Sequence, residues 1–319
     1  MNPNFLLPAN PIDLGVATLS RKSRNRMRLD RLARANAVQP VIYQGNLGAA
    51  SAVADRQASR AIWYDCPWNQ IVEGSIAGIV EFNEFINPNF VTPTTEAVYP
   101  PYKGFSSTGG TITKANPQLR YGVITLGSDG DDEGASVAQV GTPFQVSALE
   151  GQFWAEFRVK VNSIAVTLYD AFVGFAEGIT LTATVPITAT AGAMSDNNMF
   201  GFLRPGTSTA GDGSLLRTFY KANGVTAVTV ADYAAQFVAD TYIKLGLRFS
   251  PADKYLRFFV NNVELATKKL IPDATGTDFP ADVTVGLVAA TLNTAVNTSV
   301  FSVDWWRAAQ MDVGVYPGA

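Results

Sequence analysis

The amino-acid sequence predicts an all-β protein built as a sandwich of antiparallel sheets. Residues 153–161 alternate apolar and polar side chains, and residues 242–249 and 254–260 repeat the pattern. Strict alternation places one set of side chains in a core and the other set on the opposite face of the strand. Such segments recur through 104–310 between Gly, Asn, Asp and Pro residues, at the spacing typical of β-sandwiches.

About a dozen strands are predicted, which exceeds an immunoglobulin-like seven and favours a larger jelly roll. A hairpin turn is predicted at Asn261-Asn262, because asparagine tolerates the positive φ that such a turn requires. The predicted strands cover residues 110–114, 120–126, 142–148, 152–164, 171–177, 198–204, 214–221, 225–230, 240–250, 254–261, 282–291 and 299–309.

The composition is that of a folded protein with few charges. Of 319 residues, 47% are hydrophobic, 11% aromatic and only 16% charged, which excludes a disordered charged polymer. Two interpretations of the low charge stay open: a surface partly covered by other subunits, or an ordinary β protein rich in Thr, Asn and Gly. The net charge of −3 gives no reason to expect a membrane or a nucleic acid as partner.

Cysteine and histidine usage narrows the chemistry. Cys66 is the single cysteine, so no intramolecular disulfide is possible, which fits assembly in a reducing cytoplasm. Histidine is absent, which removes it as general base, metal ligand or pH switch. The first residues lack the pattern of a signal peptide, and no apolar stretch reaches the roughly 18 to 20 residues of a membrane span. We therefore expect an unsecreted protein.

The N-terminal residues 1–60 are predicted to form a basic arm that is extended or partly helical. Seven of the fifteen residues from Ser20 to Arg34 are basic, and only Asp30 opposes them. Such a block favours an arm that reaches for an acidic partner. The alternative is a solvated amphipathic helix with a thin apolar stripe. The seven bases are Arg21, Lys22, Arg24, Arg26, Arg28, Arg31 and Arg34.

Residues 61–103 are predicted to be a hydrophobic connector or anchoring segment. They contain Trp63 and Trp68, and Gly74 and Gly78 divide them into short pieces. The proline-rich run 93–101 predicts an extended connector without regular pairing, so we place a domain boundary near 95–105. The predicted organisation is an arm at 1–60, a connector at 61–103, a jelly-roll sandwich at 104–310 and a tail at 311–319.

The densest acidic cluster is a weak candidate for a metal site. Its members are Asp129, Asp131, Asp132 and Glu133. Closely spaced oxygen ligands in a Gly-containing loop suit a hard cation, although the spacing is not that of an EF-hand. The alternative is a solvated hairpin loop. We expect no bound metal and no cofactor.

Catalysis is not supported by the sequence. A glycosidase needs two facing carboxylates, and no predicted strand carries such a pair. Glu156 has the cations Arg158 and Lys160 as same-face neighbours, so a cross-strand ion pair is its expected role. Nucleotide-binding motifs are also absent. We predict that the protein is not an enzyme.

The adjacent tryptophans Trp305 and Trp306 must face opposite ways on a strand. By alternation Trp305 lies with Phe301 and Val303, which predicts a core position. Trp306 is then predicted to contact residues 61–100 or a neighbouring subunit. The candidates for subunit contacts are Trp63, Trp68 and Trp306.

Several segments resemble the concanavalin/laminin-G-type jelly rolls of tailed-phage and prophage structural proteins. They are residues 153–161, 171–177, 240–249, 303–310 and the strand pair around Asn261-Asn262. The resemblance covers roughly 104–310, and proteins of this kind are similar to head decoration (cement) proteins.

The resemblance implies a capsid decoration protein, made in the host cytoplasm and located on the exterior of the virion. Its expected partners are the major capsid protein and copies of itself, in a homo-oligomer such as a trimer. The seven bases of the arm then become the candidates for capsid contacts. The first alternative is a carbohydrate- or receptor-binding module of a head or tail fibre. The second is a polysaccharide-degrading spike domain, which close paired carboxylates would favour.

Overall fold

A computed structural model describes most of the chain that follows residue 57. The described residues are 58–85, 96–99, 101–107, 109–115, 122–147, 151–165, 169–178, 181, 186–188, 193–206, 213–271, 279–293, 295–296 and 298–311. The predicted basic arm thus lies outside them up to residue 57, as does the predicted tail beyond Met311.

The described part is dominated by strands. Two short helices, α1 (Arg60–Trp63) and α2 (Trp68–Val72), come first. The strands that follow are β1 (Gly78–Asn83), β2 (Ala97–Tyr99), β3 (Tyr102–Ser106), β4 (Thr111–Ala115), β5 (Val123–Ser128), β6 (Gly134–Gln139), β7 (Phe144–Gln145), β8 (Phe153–Val161), β9 (Tyr169–Ala176), β10 (Met199–Arg204), β11 (Leu216–Lys221), β12 (Val228–Tyr233), β13 (Ile243–Ser250), β14 (Tyr255–Val260), β15 (Val263–Glu264), β16 (Lys269–Leu270), β17 (Thr284–Asn293) and β18 (Ser299–Met311). No helix of the described residues is long and apolar enough to cross a membrane.

The strands form two antiparallel sheets, which confirms the predicted all-β sandwich. Sheet A runs in the order β15-β14-β13-β8-β18-β5-β4, with β1 added beside β18 and β16 beside β14. Sheet B runs in the order β12-β11-β10-β9-β17-β6-β3-β2, with β7 added beside β17. The turn at Asn261 and Asn262, with φ of 47° and 70°, joins β14 to β15 as predicted.

The core lies between the two sheets and follows the alternation of the sequence. On β8, Phe153 and Phe157 point into it. The Phe175 ring of β9 lies at its centre, with ring centroids 5.0 Å from Phe153, 5.9 Å from Phe157 and 5.3 Å from Phe200. Aromatic rings on the inner faces therefore hold the two sheets together.

The outer face of sheet B carries a second apolar cluster. Phe172, Met199 and Phe219 of the sheet are buried there together with Leu181 and Ile187 from the connection between β9 and β10. The sheet is therefore covered by the chain's own residues on this side. The sequence analysis predicted only the strands 171–177 and 198–204 on either side of this connection, and no layer between them.

The predicted connector 61–103 is part of the sandwich in three places. Residues 97–99 pair with 102–104, where we predicted no regular pairing. β1 pairs with the C-terminal half of β18. α1 and α2 lie on sheet A, as described below. The pairing of β1 with β18 joins distant parts of the chain, which a local pattern of prolines and glycines cannot show, whereas β2 and β3 are consecutive strands in a segment where the prolines argued against regular pairing.

Candidate functional site

The segment 58–83, here called the clasp, is attached to sheet A in two ways: its helices lie on the outer face of the sheet, and its strand is paired with β18 within the sheet. It comprises α1, α2 and β1. Its residues Ile62, Trp63 and Ile71 are buried in an apolar cluster with Trp154 of β8 and Phe259 of β14. The face of β8 that points away from the core is therefore partly covered by the clasp.

A glycine in β13 provides the space into which the clasp inserts. A Cβ atom placed on Gly246 would lie 2.0 Å from Cδ1 of Ile62. Gly246 is paired with Glu156 on one side and Phe259 on the other, so Ile62 lies over the middle of the sheet. Ile62 is 1% exposed. The fit of Ile62 over Gly246 thus sets the position of α1.

Glu156 of β8 anchors the beginning of the clasp. The Ser59 N–H lies 3.2 Å from Oε1 and 3.1 Å from Oε2 of this carboxylate, and Trp63 Nε1 donates to Oε2 at 2.8 Å. Glu156 is fully buried. Hydrogen bonds to a buried charge are the stronger kind. The carboxylate thus accepts hydrogen bonds from the clasp, and Arg307 lies opposite Glu156 in the pairing of β18 with β8; the cross-strand ion pair that we predicted for Glu156 stays a prediction.

Asp65 provides a second anchor beyond α1. Its carboxylate accepts hydrogen bonds from Trp154 Nε1 at 2.9 Å and Gln152 Nε2 at 3.0 Å, and it forms an ion pair with Arg248. The Arg248 guanidinium also lies over the Tyr64 ring, 4.4 Å from its centroid. The clasp is therefore fastened to β8 and β13 by charge-assisted contacts as well as by apolar packing.

Beside the second anchor, sheet A has an open depression of about 400 Å³. Arg248 and Arg257 face each other across β13 and β14. Arg257 donates to Glu264 at 2.7 Å and forms an ion pair with Asp253. Other residues that line the depression are Ala61, Tyr64, Ser250 and Phe259.

The ion pairs in the depression favour the charged forms of both partners. Partial burial disfavours the charge on Asp253, but the hydrogen bonds from Arg257 and from the Tyr255 N–H outweigh it and lower the pKa of Asp253. The hydrogen bond to Asp253 raises the pKa of Arg257 further above its ordinary value. The walls of the depression thus keep paired, opposite charges.

The three tryptophans predicted at subunit contacts lie within the molecule. Trp63 is 4% exposed and donates a hydrogen bond to Glu156. Trp68 is half-buried and packs against Trp63, with the two ring centroids 5.6 Å apart. Trp306 is fully buried in the core, and its ring centroid lies 4.9 Å from that of Phe85 and 5.4 Å from that of Tyr102. Trp306 therefore contacts residues 61–100 through Phe85, the first of the two predicted alternatives, and the subunit contacts of the tryptophans stay a prediction.

The predicted division between Trp305 and Trp306 is reversed. The pairing of β18 with β8 shifts between Val303 and Trp305, so Asp304 forms a β-bulge. A bulge adds one residue and exchanges the faces of all side chains beyond it. Trp306 consequently joins the core, and Trp305 lies on the outer face, where the Arg307 guanidinium is 4.1 Å from its ring centroid.

The acidic cluster folds into a loop held by its own hydrogen bonds. Glu133 Oε2 accepts from the Gly130 N–H at 2.7 Å, and the Glu133 carbonyl accepts from the Asn293 N–H at 2.7 Å. Among the described residues, no group of three His, Cys, Asp or Glu side chains could hold a metal ion. The loop connects β5 of sheet A to β6 of sheet B, so it is not the hairpin of the alternative interpretation.

The seven bases predicted as capsid contacts lie outside the described residues. The clasp was only partly anticipated, since the sequence predicted an anchoring segment without saying what it is anchored to. Gly246, at the centre of an alternating strand, was the signal in the sequence that could have located the docking position of the clasp. A glycine inside a strand often marks a place where another segment approaches the backbone closely.

Comparisons with known proteins give similarities of fold. No protein-family model matches the chain, and no curated protein matches it. A protein of unknown function from Shewanella oneidensis MR-1 has a TM-score of 0.49 at 11% identity, over 79% of this chain and 97% of that one. The basic winged bean lectin in complex with Tn-antigen also has a TM-score of 0.49 at 11% identity, over 74% and 100%. A carbohydrate esterase from Shiga toxin-encoding bacteriophage phi24B has a TM-score of 0.39 at 14% identity, over 66% and 90%.

Proposed function

We propose that the protein is a non-enzymatic structural component of a phage particle, a decoration protein that binds the head shell through its basic N-terminal arm. The arm carries seven bases in fifteen residues, whereas the whole chain has a net charge of −3. A localised block of this kind favours an acidic partner surface. The major capsid protein, in its assembled shell, is the partner that we propose.

The observation that supports the proposal most is the attachment of the clasp to sheet A. The chain that follows the arm is fixed by Glu156, by the insertion of Ile62 over Gly246 and by the pairing of β1 with β18. If the arm holds the protein on a shell, the point where the arm joins the sandwich must be rigid. An arm that joined the sandwich through a loose segment would not fix the position of the sandwich on the shell. An extended chain of 57 residues can span up to about 190 Å, enough to cross several subunits of a shell.

Binding to assembled shells tests this proposal. In co-sedimentation, replacing Arg21, Arg24, Arg26 and Arg28 by Gln should abolish or strongly weaken attachment, most clearly at low salt, because electrostatic attraction is screened beyond about 10 Å at 0.1 M ionic strength. The matched control replaces four lysines of the sandwich, Lys114, Lys244, Lys254 and Lys268, by Gln and should bind like the natural chain. Attachment that depends on neither salt nor the arginines would exclude the arm as the binding element.

The second candidate is a carbohydrate- or receptor-binding module of a phage fibre. The depression on sheet A favours it, because it combines an exposed aromatic ring with paired polar groups. This function does not depend on the arm, and the two candidates can therefore be tested separately.

A further inference from the structure

The depression on sheet A has the volume of a small-molecule site. Its volume of about 400 Å³ falls in the range of roughly 300 to 1,000 Å³ that is usual for ligand pockets. Its polar lining comes from the strands of sheet A, from the turn after β13 and from the clasp. These residues are Tyr64, Arg248, Ser250, Asp253, Arg257 and Glu264.

The charges of the lining cancel, which selects against an ionic ligand. Arg248 is paired with Asp65, and Arg257 is paired with both Asp253 and Glu264. An anion would meet the two carboxylates of the rim, and a cation would meet the two guanidinium groups. A neutral ligand that carries both donors and acceptors avoids both costs.

The rim offers acceptors that a hydroxyl group can reach. The side chains of Asp253 and Glu264 are 40% and 41% exposed, so their carboxylates remain accessible beside Arg257. Ser250 adds a hydroxyl group, which both donates and accepts. A ligand with several neighbouring hydroxyl groups matches this arrangement.

Tyr64 provides a flat apolar surface next to these groups. It is 52% exposed, and its ring is held by the Arg248 guanidinium 4.4 Å away. The neighbouring residue Asp65 is fixed by Trp154, Gln152 and Arg248. The ring is therefore positioned before any ligand arrives, which lowers the entropic cost of binding. The C–H face of a sugar ring is apolar, and its hydroxyl groups lie at the edge, so it matches this surface.

We propose that the depression between the clasp and the β13–β14 hairpin binds a neutral saccharide, which stacks on Tyr64 and donates hydrogen bonds to Glu264 and Asp253. This proposal deepens the second candidate function and is independent of attachment through the arm. Because the clasp supplies Tyr64 and the sheet supplies the carboxylates, the site exists only when the clasp is docked.

A titration of the full chain with a panel of saccharides tests the proposal. The probes are glucose, galactose, mannose, N-acetylglucosamine and their linear oligomers, with glucuronate as an anionic control, and binding is measured by calorimetry or by ligand-observed NMR. We expect at least one neutral saccharide to bind, and Tyr64→Ala and Glu264→Gln each to weaken it by about tenfold or more. Tyr64→Phe keeps the ring and should retain binding.

Two controls separate a lost site from a lost fold. Tyr233→Ala removes a tyrosine from sheet B and should leave saccharide binding intact, and thermal unfolding of each variant checks that the sandwich persists. The proposal is overturned if no neutral saccharide binds, if Tyr64→Ala binds like the natural chain, or if glucuronate binds more tightly than the neutral sugars. Shell attachment of the Tyr64→Ala variant, measured in parallel, should be unchanged, so a failure here does not bear on the arm.

Discussion

Gly246 and Ile62 show how one absent side chain can position a whole segment. The outward face of β13 carries Lys244 and Arg248 on either side of Gly246, and Ile62 occupies the space between them. Without a Cβ atom at 246, the Ile62 side chain can reach the backbone of the sheet between these two polar side chains. The pair therefore couples the clasp to the sandwich through shape.

A double-mutant cycle tests this coupling. Gly246→Val should destabilise the protein by about 1–3 kcal/mol because its side chain collides with Ile62. In an Ile62→Ala background, which itself costs about 2 kcal/mol or more, Gly246→Val should have little further effect. Urea unfolding of the four chains gives the coupling energy, which we expect to be at least about 1 kcal/mol. Additive effects would show that Ile62 does not occupy this space.

Tyr169 should make the stability of the protein depend on pH in the alkaline range. It is fully buried beside Arg204, whose guanidinium lies 4.4 Å from its ring centroid. Burial raises the pKa of Tyr169 to about 12, an effect that the positive charge of Arg204 partly offsets. Because the pKa of Tyr169 is higher in the folded than in the unfolded chain, the unfolded chain loses this proton first as the pH rises. The contribution of Tyr169 to the free energy of unfolding is therefore fully present below about pH 10 and is lost as the pH rises toward 12.

The free energy of unfolding should therefore fall between pH 10 and pH 12, and part of that fall should disappear in Tyr169→Phe. The expected difference between the two profiles is about 2 kcal/mol at the alkaline end. Denaturant unfolding at a series of pH values measures it. Parallel profiles for the two proteins would contradict the assignment.

The tryptophan pair marks the limit of residue-level prediction. The sequence correctly indicates that Trp305 and Trp306 face opposite ways, but it cannot show the bulge at Asp304. A bulge is defined by the partner strand, here β8, and that partner is far away in the sequence. The alternation before the bulge was predicted correctly, and the alternation after it was inverted.

At the scale of elements, the helical part of the clasp, residues 58–73, is a layer on sheet A that is held by apolar packing and a small set of polar contacts. Glu156 accepts hydrogen bonds from both ends of the first turn, at Ser59 and Trp63. The sheet beneath has its own core on the other face. The clasp should consequently be able to loosen while the sandwich stays folded.

Glu156→Gln should loosen the clasp selectively. An amide replaces one acceptor oxygen by a donor, which faces the N–H groups of the clasp and loses at least one hydrogen bond. Hydrogen exchange should become faster at residues 58–73, whereas the amides of β8 and β13 stay protected. Glu264→Gln, at an exposed position of the same sheet, is the control and should not change the exchange of the clasp. Uniformly faster exchange across the sandwich would mean that the clasp is not a separate unit.

Elements with one buried and one polar face were predictable from the sequence, and those without this contrast were not. Strands β8, β13 and β14 alternate clearly and were predicted within a few residues. β6 was missed because residues 134–138 are buried throughout and mostly small, so no alternation is visible. The depression could not be predicted from the sequence either, because its lining comes from different segments. The register of β13 with β14 places Arg248 opposite Arg257, and the docked clasp adds Tyr64.

At the scale of the whole molecule, the described chain covers part of each outer face of its sandwich. The clasp lies on sheet A, and the connection between β9 and β10 lies on sheet B. Where residues of the same chain cover an outer face, that face does not need charged side chains toward water. This covering accounts for part of the low proportion of charged residues, 16%. Subunit contacts at Trp63 and Trp306 are not needed to explain it.

The proposed role combines a fixed body with a basic arm that begins at the clasp. The most direct test is electron cryo-microscopy of particles from the organism that encodes the chain. We predict density for the two-sheet sandwich on the exterior of the head shell, joined to the shell by a connection that starts at the clasp, at residue 58. A shell without the sandwich, or a sandwich joined to the particle only through the far side of sheet B, would contradict this account.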